Sequence, residues 1–463
     1  MQAEQHTSET QRGLRLALGA VAAGAAAGAA LASDLPPAAC WTAAITGLCA
    51  TWWVLEPIPI PATSLIPFAA FPLAGVVDHA RIAQAYGHTL VLLLLGGFML
   101  SKAVEKSRLH RRLALGMVRV CGGGGRRLVL GFMFASWVCS MWISNTATTL
   151  MLLPVALAVL ESREAKPTAV PLLLGLAYAA SIGGMATPIG TPPNVIFMAV
   201  YEQATGETVH FLEWMTIGLP AAALLLPIAW LWVTRSLGGT PAPTIPHLGP
   251  WRAPEARVLV VFGLTAAAWI FRTEPFGGWS GLFGVGTASD STVAMAAVVV
   301  LFLLPDGEGG QLLDWKTART IPWGLLILFG GGIAISTAFE ASGLSSTLGE
   351  ALGGVATWPL VAVILILCLA VTFMTEVTSN TATTNLLMPV LASAAIGAGL
   401  APERLMLPAA LSASCAFMLP VATAPNAIVA GSGYVHTADM AREGAVLNVL
   451  GAMTLTAVCS LLL

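Results

Sequence analysis

Apolar and polar positions alternate along this chain in long blocks. Apolar segments fall at about 15–33, 38–56, 60–77, 87–103, 128–160, 169–201, 211–234, 257–273, 289–304, 322–339, 357–397, 405–430 and 444–463. Several reach the ~18–20 residues that carry a helix across a ~30 Å hydrocarbon core. Two of them, 128–160 and 357–397, do not read as simple spans. Crossing twice at ~1.5 Å per residue takes about 40 residues and a turn. The first segment is too short for two crossings, too long for one, and polar in its middle. A re-entrant hairpin, two half-helices meeting at a polar tip inside the membrane, fits this pattern. Irregular backbone at that depth is tolerated where it lines a cavity or is buried in protein.

The polar middle of each segment is the same phrase. ISNTATTLMLLPV begins at Ile143 and TSNTATTNLLMPV at Thr378, so Ser144 and Ser379 stand 235 positions apart. LGGFMLSKAVE (95–105) and GGGIAISTAFE (330–340) match at the same offset, Gly96–Gly97 over Gly331–Gly332. TPIGTPPN (187–194) matches LPVATAPN (419–426), which places Asn194 over Asn426. Three landmarks in one order mark duplicated halves. Five full crossings, an odd number, separate Gly96 from Gly331, so the halves enter from opposite sides. Inverted-topology repeats of this kind place substrate and ion sites on broken helices near the midplane.

Composition agrees. The 463 residues are 57% hydrophobic and only 10% charged, against about a quarter charged in soluble domains. The pattern predicts an all-α polytopic membrane protein with about eleven transmembrane helices and two re-entrant hairpins. The N-terminus then lies in the cytoplasm and the C-terminus outside. All but Arg81, Arg272 and Arg404 of the 21 Lys and Arg fall inside, as the positive-inside rule requires. A cytoplasmic tail (1–14) precedes an uncleaved first span. The first half (15–234) holds scaffold helices 15–103, a basic amphipathic arm 104–125, hairpin 126–162, broken helix 169–201 and helix 211–234. A Pro-rich cytoplasmic linker, 235–257, divides the halves. The second half (258–463) holds scaffold helices 258–340, an arm 341–356, hairpin 357–397, broken helix 405–430 and a last helix 444–463. A net charge of −2 gives no reason to expect nucleic acid. The seven Cys lack CxxC spacing and read as packing residues. The seven His are scattered near loops and carry no assignment.

No Lys or Arg occurs in 128–160, 169–201, 357–397 or 405–430, and Glu376 is the one acid there. The tips therefore offer Ser, Thr and Asn side chains, bare carbonyls and helix-start N–H groups. Hydroxyl, amide and carbonyl oxygens suit a small hard cation. Asn amides, Thr hydroxyls and helix N-termini suit an anion. Pro188, Pro192, Pro193, Pro420 and Pro425 break the helices and free carbonyls, with Gly190 and Ala422 the aligned small residues whose carbonyls face the cations. A buried carboxylate is prohibitively costly alone, and helix dipoles at ~1–2 kcal/mol each cannot hold a dianion. Sodium ions at the two tips supply the missing charge. Ser140 and Thr375 each stand four residues before an SNT serine. Thr148, Thr149, Thr383 and Thr384 read as packing. Glu376 is open between gate or hairpin-tip hydrogen bonding and tuning of an ion site.

These motifs resemble the divalent anion:sodium symporter family over nearly the whole chain: both SNT copies, SIGGMATPIGTPPN (181–194) and LPVATAPN (419–426). The resemblance implies an elevator-type ion transporter fold, a homodimer with a fixed scaffold and a moving transport domain, and a bacterial inner (plasma) membrane. It implies no enzyme but a sodium-coupled symporter of C4-dicarboxylates (succinate, malate, fumarate) using two or more Na⁺. A dicarboxylate or citrate exchanger, or a sulfate or citrate symporter of the same fold, is the alternative. By position, one sodium site takes Ser140, Ser144, Asn145 and the Gly190 carbonyl. The other takes Thr375, Ser379, Asn380 and the Ala422 carbonyl. Substrate falls to Ser144, Asn145, Thr146, Ser379, Asn380, Thr381 and Thr423. The second broken segment departs from the family's TPPN by carrying Ala424, which bears on the fit near Thr423. A membrane-embedded enzyme would need a catalytic dyad or metal cluster beside the tips, and none accompanies them.

Overall fold

Each apolar segment of the sequence forms helix, and no β-strand forms among the described residues. A computed structural model describes residues 2–122, 124–160, 167–238, 249–274, 277–352 and 358–463. Seven helices are long and apolar enough to cross a membrane: Gln11–Ala32, Pro37–Leu55, His79–Ser107, Phe211–Val233, Ala253–Ile270, Trp323–Ser342 and Thr437–Leu462. Other apolar helices are shorter, so eleven crossings cannot be counted from single long helices. Segment 60–77 differs from the single span its hydropathy suggests. It splits into Ile60–Thr63 and Ile66–Leu73, because Pro67 has no N–H to give the Thr63 carbonyl and starts a second helix. Ser64 sits at the break, where its hydroxyl accepts from Trp53 Nε1 at 2.9 Å and its carbonyl from the Tyr86 hydroxyl at 2.5 Å.

The two SNT segments form matched helix–turn–helix pairs. Arg126–Ser140 and Asn145–Leu160 are joined by Met141–Ser144, and Leu360–Thr375 and Asn380–Gly397 by Glu376–Ser379. Residues 161–162 and 357, at the expected hairpin ends, lie outside the described residues, as do 353–356 of the second arm. The four helices have 15, 16, 16 and 18 residues. At ~1.5 Å per residue they span about 22–27 Å, short of a ~30 Å core.

The broken helices interlock the pairs. Ala169–Gly184 lies along Arg126–Ser140, and Glu403–Ser412 along Leu360–Thr375. The second pieces cross over: Ala424–Ala430 packs on Asn145–Leu160, and Pro192–Thr205 on Asn380–Gly397. The halves are thus bound to each other through the breaks. Outside this unit stand helices Thr89–Ser107 and Trp323–Ser342, which carry the paired glycines. A Cβ on Gly97 would press on Ile189 Cγ2 at 3.2 Å, and one on Gly332 would run into the Asn385 amide. Glycine here lets the outer helices approach the first break and the second pair.

The expected arm turns at Arg108, whose φ is 62°, and continues as Leu109–Cys121 along Arg126–Ser140. Arg112 ties it to the end of the linker, with Nε 2.8 Å from Glu255 and the guanidinium over Trp251. The linker ends earlier than its composition suggests. Helix Ala253–Ile270 starts inside it, with Glu255 accepting from the Arg252 N–H at 2.9 Å; residues 239–248 lie outside the described residues.

A buried ion pair joins three elements at the start of helix Phe211–Val233. Arg272 Nε lies 2.5 Å from Asp290 Oδ1, and its Nη2 2.7 Å from His210 Nδ1. Asp290 Oδ2 accepts from the Phe211 N–H at 3.0 Å. Removing one partner strands the other charge. Asp290→Ala is expected to cost about 3–5 kcal/mol, read as earlier unfolding in detergent. Arg272→Met with Asp290→Leu should recover most of that loss, whereas equal loss in single and double variants would contradict the pair's role.

Candidate functional site

Both SNT turns, both helix breaks and helices Pro37–Leu55, Thr89–Ser107 and Trp323–Ser342 open onto one cavity of about 680 Å³. That lies within the ~300–1,000 Å³ usual for small-molecule sites. Ser144, Asn145, Thr146 and Gly190 line it from the first half, and Ser379, Asn380, Thr381, Ala422 and Thr423 from the second. Nine residues named from sequence, up to 279 positions apart, therefore meet in one space.

Each SNT serine caps a helix. Ser144 Oγ accepts from the Ala147 N–H at 3.2 Å, and Ser379 Oγ from the Ala382 N–H at 3.5 Å. Helices Asn145–Leu160 and Asn380–Gly397 thus begin at the cavity with their positive dipole ends and unpaired N–H groups facing it. The threonines deeper in the phrase bond backwards. Thr149 Oγ1 donates to Asn145 O at 2.8 Å and Thr384 Oγ1 to Asn380 O at 2.7 Å. Thr148, Thr149, Thr383 and Thr384 do not line the cavity.

Ser140 and Thr375 also stand behind the lining, both fully buried. Ser140 Oγ donates to Asn145 Oδ1 at 2.5 Å, so it reaches the site through the asparagine. Thr375 Oγ1 donates to Thr372 O at 3.0 Å instead, and Asn380 Oδ1 is buried without a partner. The halves are alike in placement and unlike in this hydrogen bond.

At the first break the chain folds tightly on itself. A Cβ on Gly190 would strike the Gly184 carbonyl, and one on Gly184 would lie 2.8 Å from Asn145 Oδ1. The amide of Asn145 therefore rests on the break. Thr187 ties the break to the turn by donating its hydroxyl to the Met141 carbonyl. In the second half a carboxylate makes this tie. Glu376, 3% exposed, accepts from the Met418 and Leu419 N–H groups at 2.8 and 2.9 Å, and from Asn448 Nδ2 at 2.7 Å. In this conformation Glu376 hydrogen-bonds the turn to the break.

The expectation of a lining without cationic side chains needs a correction. Lys102 lines the cavity, together with Glu105 and Glu56. Helix Thr89–Ser107 runs a full turn beyond the apolar segment, and Leu94, Phe98, Ser101 and Glu105 share one face of it at helical spacing. Lys102, next to the end of the apolar segment 87–103, thus sits within the helix and on the cavity wall. Its ammonium is 2.7 Å from Glu105 Oε2, which cancels it. With Glu56 counted, the wall is negative by one charge before any guest enters. Hairpin turns and breaks contribute no charge to the lining. No cluster of three or more His, Cys, Asp or Glu suited to a metal occurs among the described residues. At the turns and breaks the cation ligands on offer are neutral oxygens.

The citrate transporter family profile, CitMHS, matches residues 50–403. The chain belongs to that family, of the divalent anion:sodium symporter type. It is 37% identical over 440 residues to the sodium-dependent dicarboxylate transporter SdcS of Staphylococcus saprophyticus, covering 90% of this chain and 84% of that protein. SdcS of Staphylococcus aureus strain NCTC 8325 is 36% identical over 445 residues, covering 91% and 85%. Among solved structures, the Alcanivorax borkumensis YdaH transporter superposes with a TM-score of 0.59 at 16% identity, over 83% of this chain and 89% of that one. Neisseria gonorrhoeae MtrF does so with 0.57 at 15% identity, over 83% of each. These two share the fold. The chain is an integral membrane transporter and not an enzyme.

Gly190→Ala should lower the reconstituted transport rate about ten- to hundredfold, since overpacking against fixed backbone costs about 1–3 kcal/mol. A variant transporting at the parental rate would show that the break yields.

Proposed function

We propose that the protein is a sodium-coupled symporter that brings C4-dicarboxylates such as succinate, malate and fumarate into the cell. One observation carries the reading: two neutral SNT turns from opposite halves share a cavity in which the one cationic side chain is already paired. A dianion placed there needs positive charge, and the negative wall adds to the need. Helix starts contribute at most ~2 kcal/mol each, against desolvation costs of tens of kcal/mol for an isolated carboxylate. Two or more Na⁺ supply the difference. One ion takes Ser144, Asn145 and the Gly190 carbonyl, with Ser140 holding the asparagine. The other takes Ser379, Asn380 and the Ala422 carbonyl, with Thr375 behind it. The carboxylates lie between, on the Asn145 and Asn380 amides, the Thr146 and Thr381 hydroxyls and Thr423. Substrate and ions then stabilise each other, which is coupling. The relatives' names, sodium-dependent dicarboxylate transporters, support this choice over sulfate.

The motion proposed is an elevator. The pairs Arg126–Leu160 and Leu360–Gly397 are re-entrant, and with the broken helices they form one interlocked body. That body slides against a scaffold containing Thr89–Ser107 and Trp323–Ser342, which pairs with its copy in a homodimer. The N-terminus is cytoplasmic and the C-terminus external. Half-helices shorter than the hydrocarbon core and glycine contacts with the outer helices support this arrangement.

In proteoliposomes, an inward Na⁺ gradient should drive succinate uptake with a Hill slope for Na⁺ above one. Uptake equal in choline and accelerated by internal dicarboxylate would favour exchange instead. Asn145→Ala or Asn380→Ala should reduce uptake roughly ten- to hundredfold, the worth of a hydrogen bond to a charged group, in protein that still elutes as a folded species. Parental rates in both variants would remove these residues from the site.

A further inference from the structure

The two breaks are closed by the same side chain in the same way. Asn194, fully buried, donates Nδ2 hydrogens to Gly184 O at 2.9 Å and to Thr187 O at 2.7 Å. Asn426, also fully buried, donates to Ala416 O and Leu419 O, both at 3.0 Å. In each half the acceptors stand ten and seven residues before the asparagine. Gly190 and Ala422, whose carbonyls the sodium sites use, stand four before. Each amide therefore bridges the ends of the loop that carries the ion-facing carbonyl.

The amide orientation is fixed by chemistry. Both neighbours of Nδ2 are carbonyls, which only accept, so a flipped side chain would set oxygen against oxygen. In consequence Oδ1 points away and is buried without a partner in both halves, a cost that loop packing alone does not call for. Each clamp also reaches the neighbouring turn. Thr187, which accepts from Asn194, donates its hydroxyl to Met141 O. Leu419, which accepts from Asn426, gives its N–H to Glu376. Clamp, break and SNT turn are thereby linked in series in both halves.

We propose that Asn194 and Asn426 are positioning residues for the coupling ions. Neither lines the cavity. By holding the loop ends together and tying them to the turns, they set the distance between the Gly190 or Ala422 carbonyl and the SNT oxygens. This inference rests on the sodium-coupled reading above. Without the clamp, the loop samples arrangements in which the carbonyl no longer meets the ion, and Na⁺ affinity falls while the carboxylate-binding amides remain.

The test uses the full chain in proteoliposomes with succinate. Wild-type uptake must depend on Na⁺; if it does not, the symporter reading fails and the clamp is moot. Given that dependence, Asn194→Ala and Asn426→Ala should each raise the Na⁺ concentration for half-maximal uptake about tenfold, the effect of losing buried hydrogen bonds. At saturating Na⁺ the maximal rate should return and the succinate KM should stay within about twofold of the parent. An unchanged Na⁺ midpoint overturns the proposal, and so does a lowered maximal rate that Na⁺ does not restore. Where an alanine variant does not fold, Asn194→Ser and Asn426→Ser are read by Na⁺-induced thermal stabilisation in detergent. A shift smaller than the parent's at equal Na⁺ supports the clamp, and an equal shift overturns it.

Discussion

A doubly negative guest must be neutralised before it can leave water, and the lining of this cavity has no free positive charge to offer. Lys102 is spent on Glu105, Glu56 adds a negative charge, and the turns and breaks offer amides, hydroxyls, carbonyls and helix starts. Most of the central structure follows from that constraint. On the proposed sodium-coupled reading, neutral oxygens converge on small cations, which requires carbonyls released from helices. Prolines break the helices to release them, and the freed backbone must then be tied down within the protein. Glu376, Thr187, Asn194 and Asn426 do so, each by hydrogen bonds to backbone or from it.

The repeat brings two such turns, one from each half, to one cavity. The copies have not stayed chemically equal. The first turn meets its break through a neutral pair, Thr187 and the Met141 carbonyl. The second does so through a buried carboxylate that accepts three hydrogen bonds. In the first half Ser140 holds the site asparagine, whereas Thr375 turns to its own helix. On the sodium-coupled reading proposed above, ions at the two turns would experience different fields.

The repeat made the site legible in the sequence. A polar phrase inside apolar helix, copied at a constant offset, has little reason to exist outside a shared pocket, and nine of the residues it pointed to do line one cavity. What the repeat does not reach was harder to read. Glu56, Lys102 and Glu105 belong to the opposite wall, where hydropathy registers only the end of a span and not which face turns inward. Ser140 and Thr375 share a register but not a hydrogen bond, which a shared register does not fix. Segment 60–77 looked like one helix because its prolines are spaced within an otherwise continuous apolar run. The role of Asn194 and Asn426 was hidden for another reason: they aligned as landmarks, but the carbonyls they clamp become neighbours only when the helices break.

The central claim concerns borrowed charge, and equilibrium binding to the purified protein tests it without the complications of turnover. Succinate affinity should be measured calorimetrically in Na⁺ and in choline, and Na⁺ affinity with and without succinate. The account predicts succinate binding that needs Na⁺, with each ligand tightening the other by the same factor, as linkage demands. Succinate affinity equal in choline and in Na⁺ would contradict it.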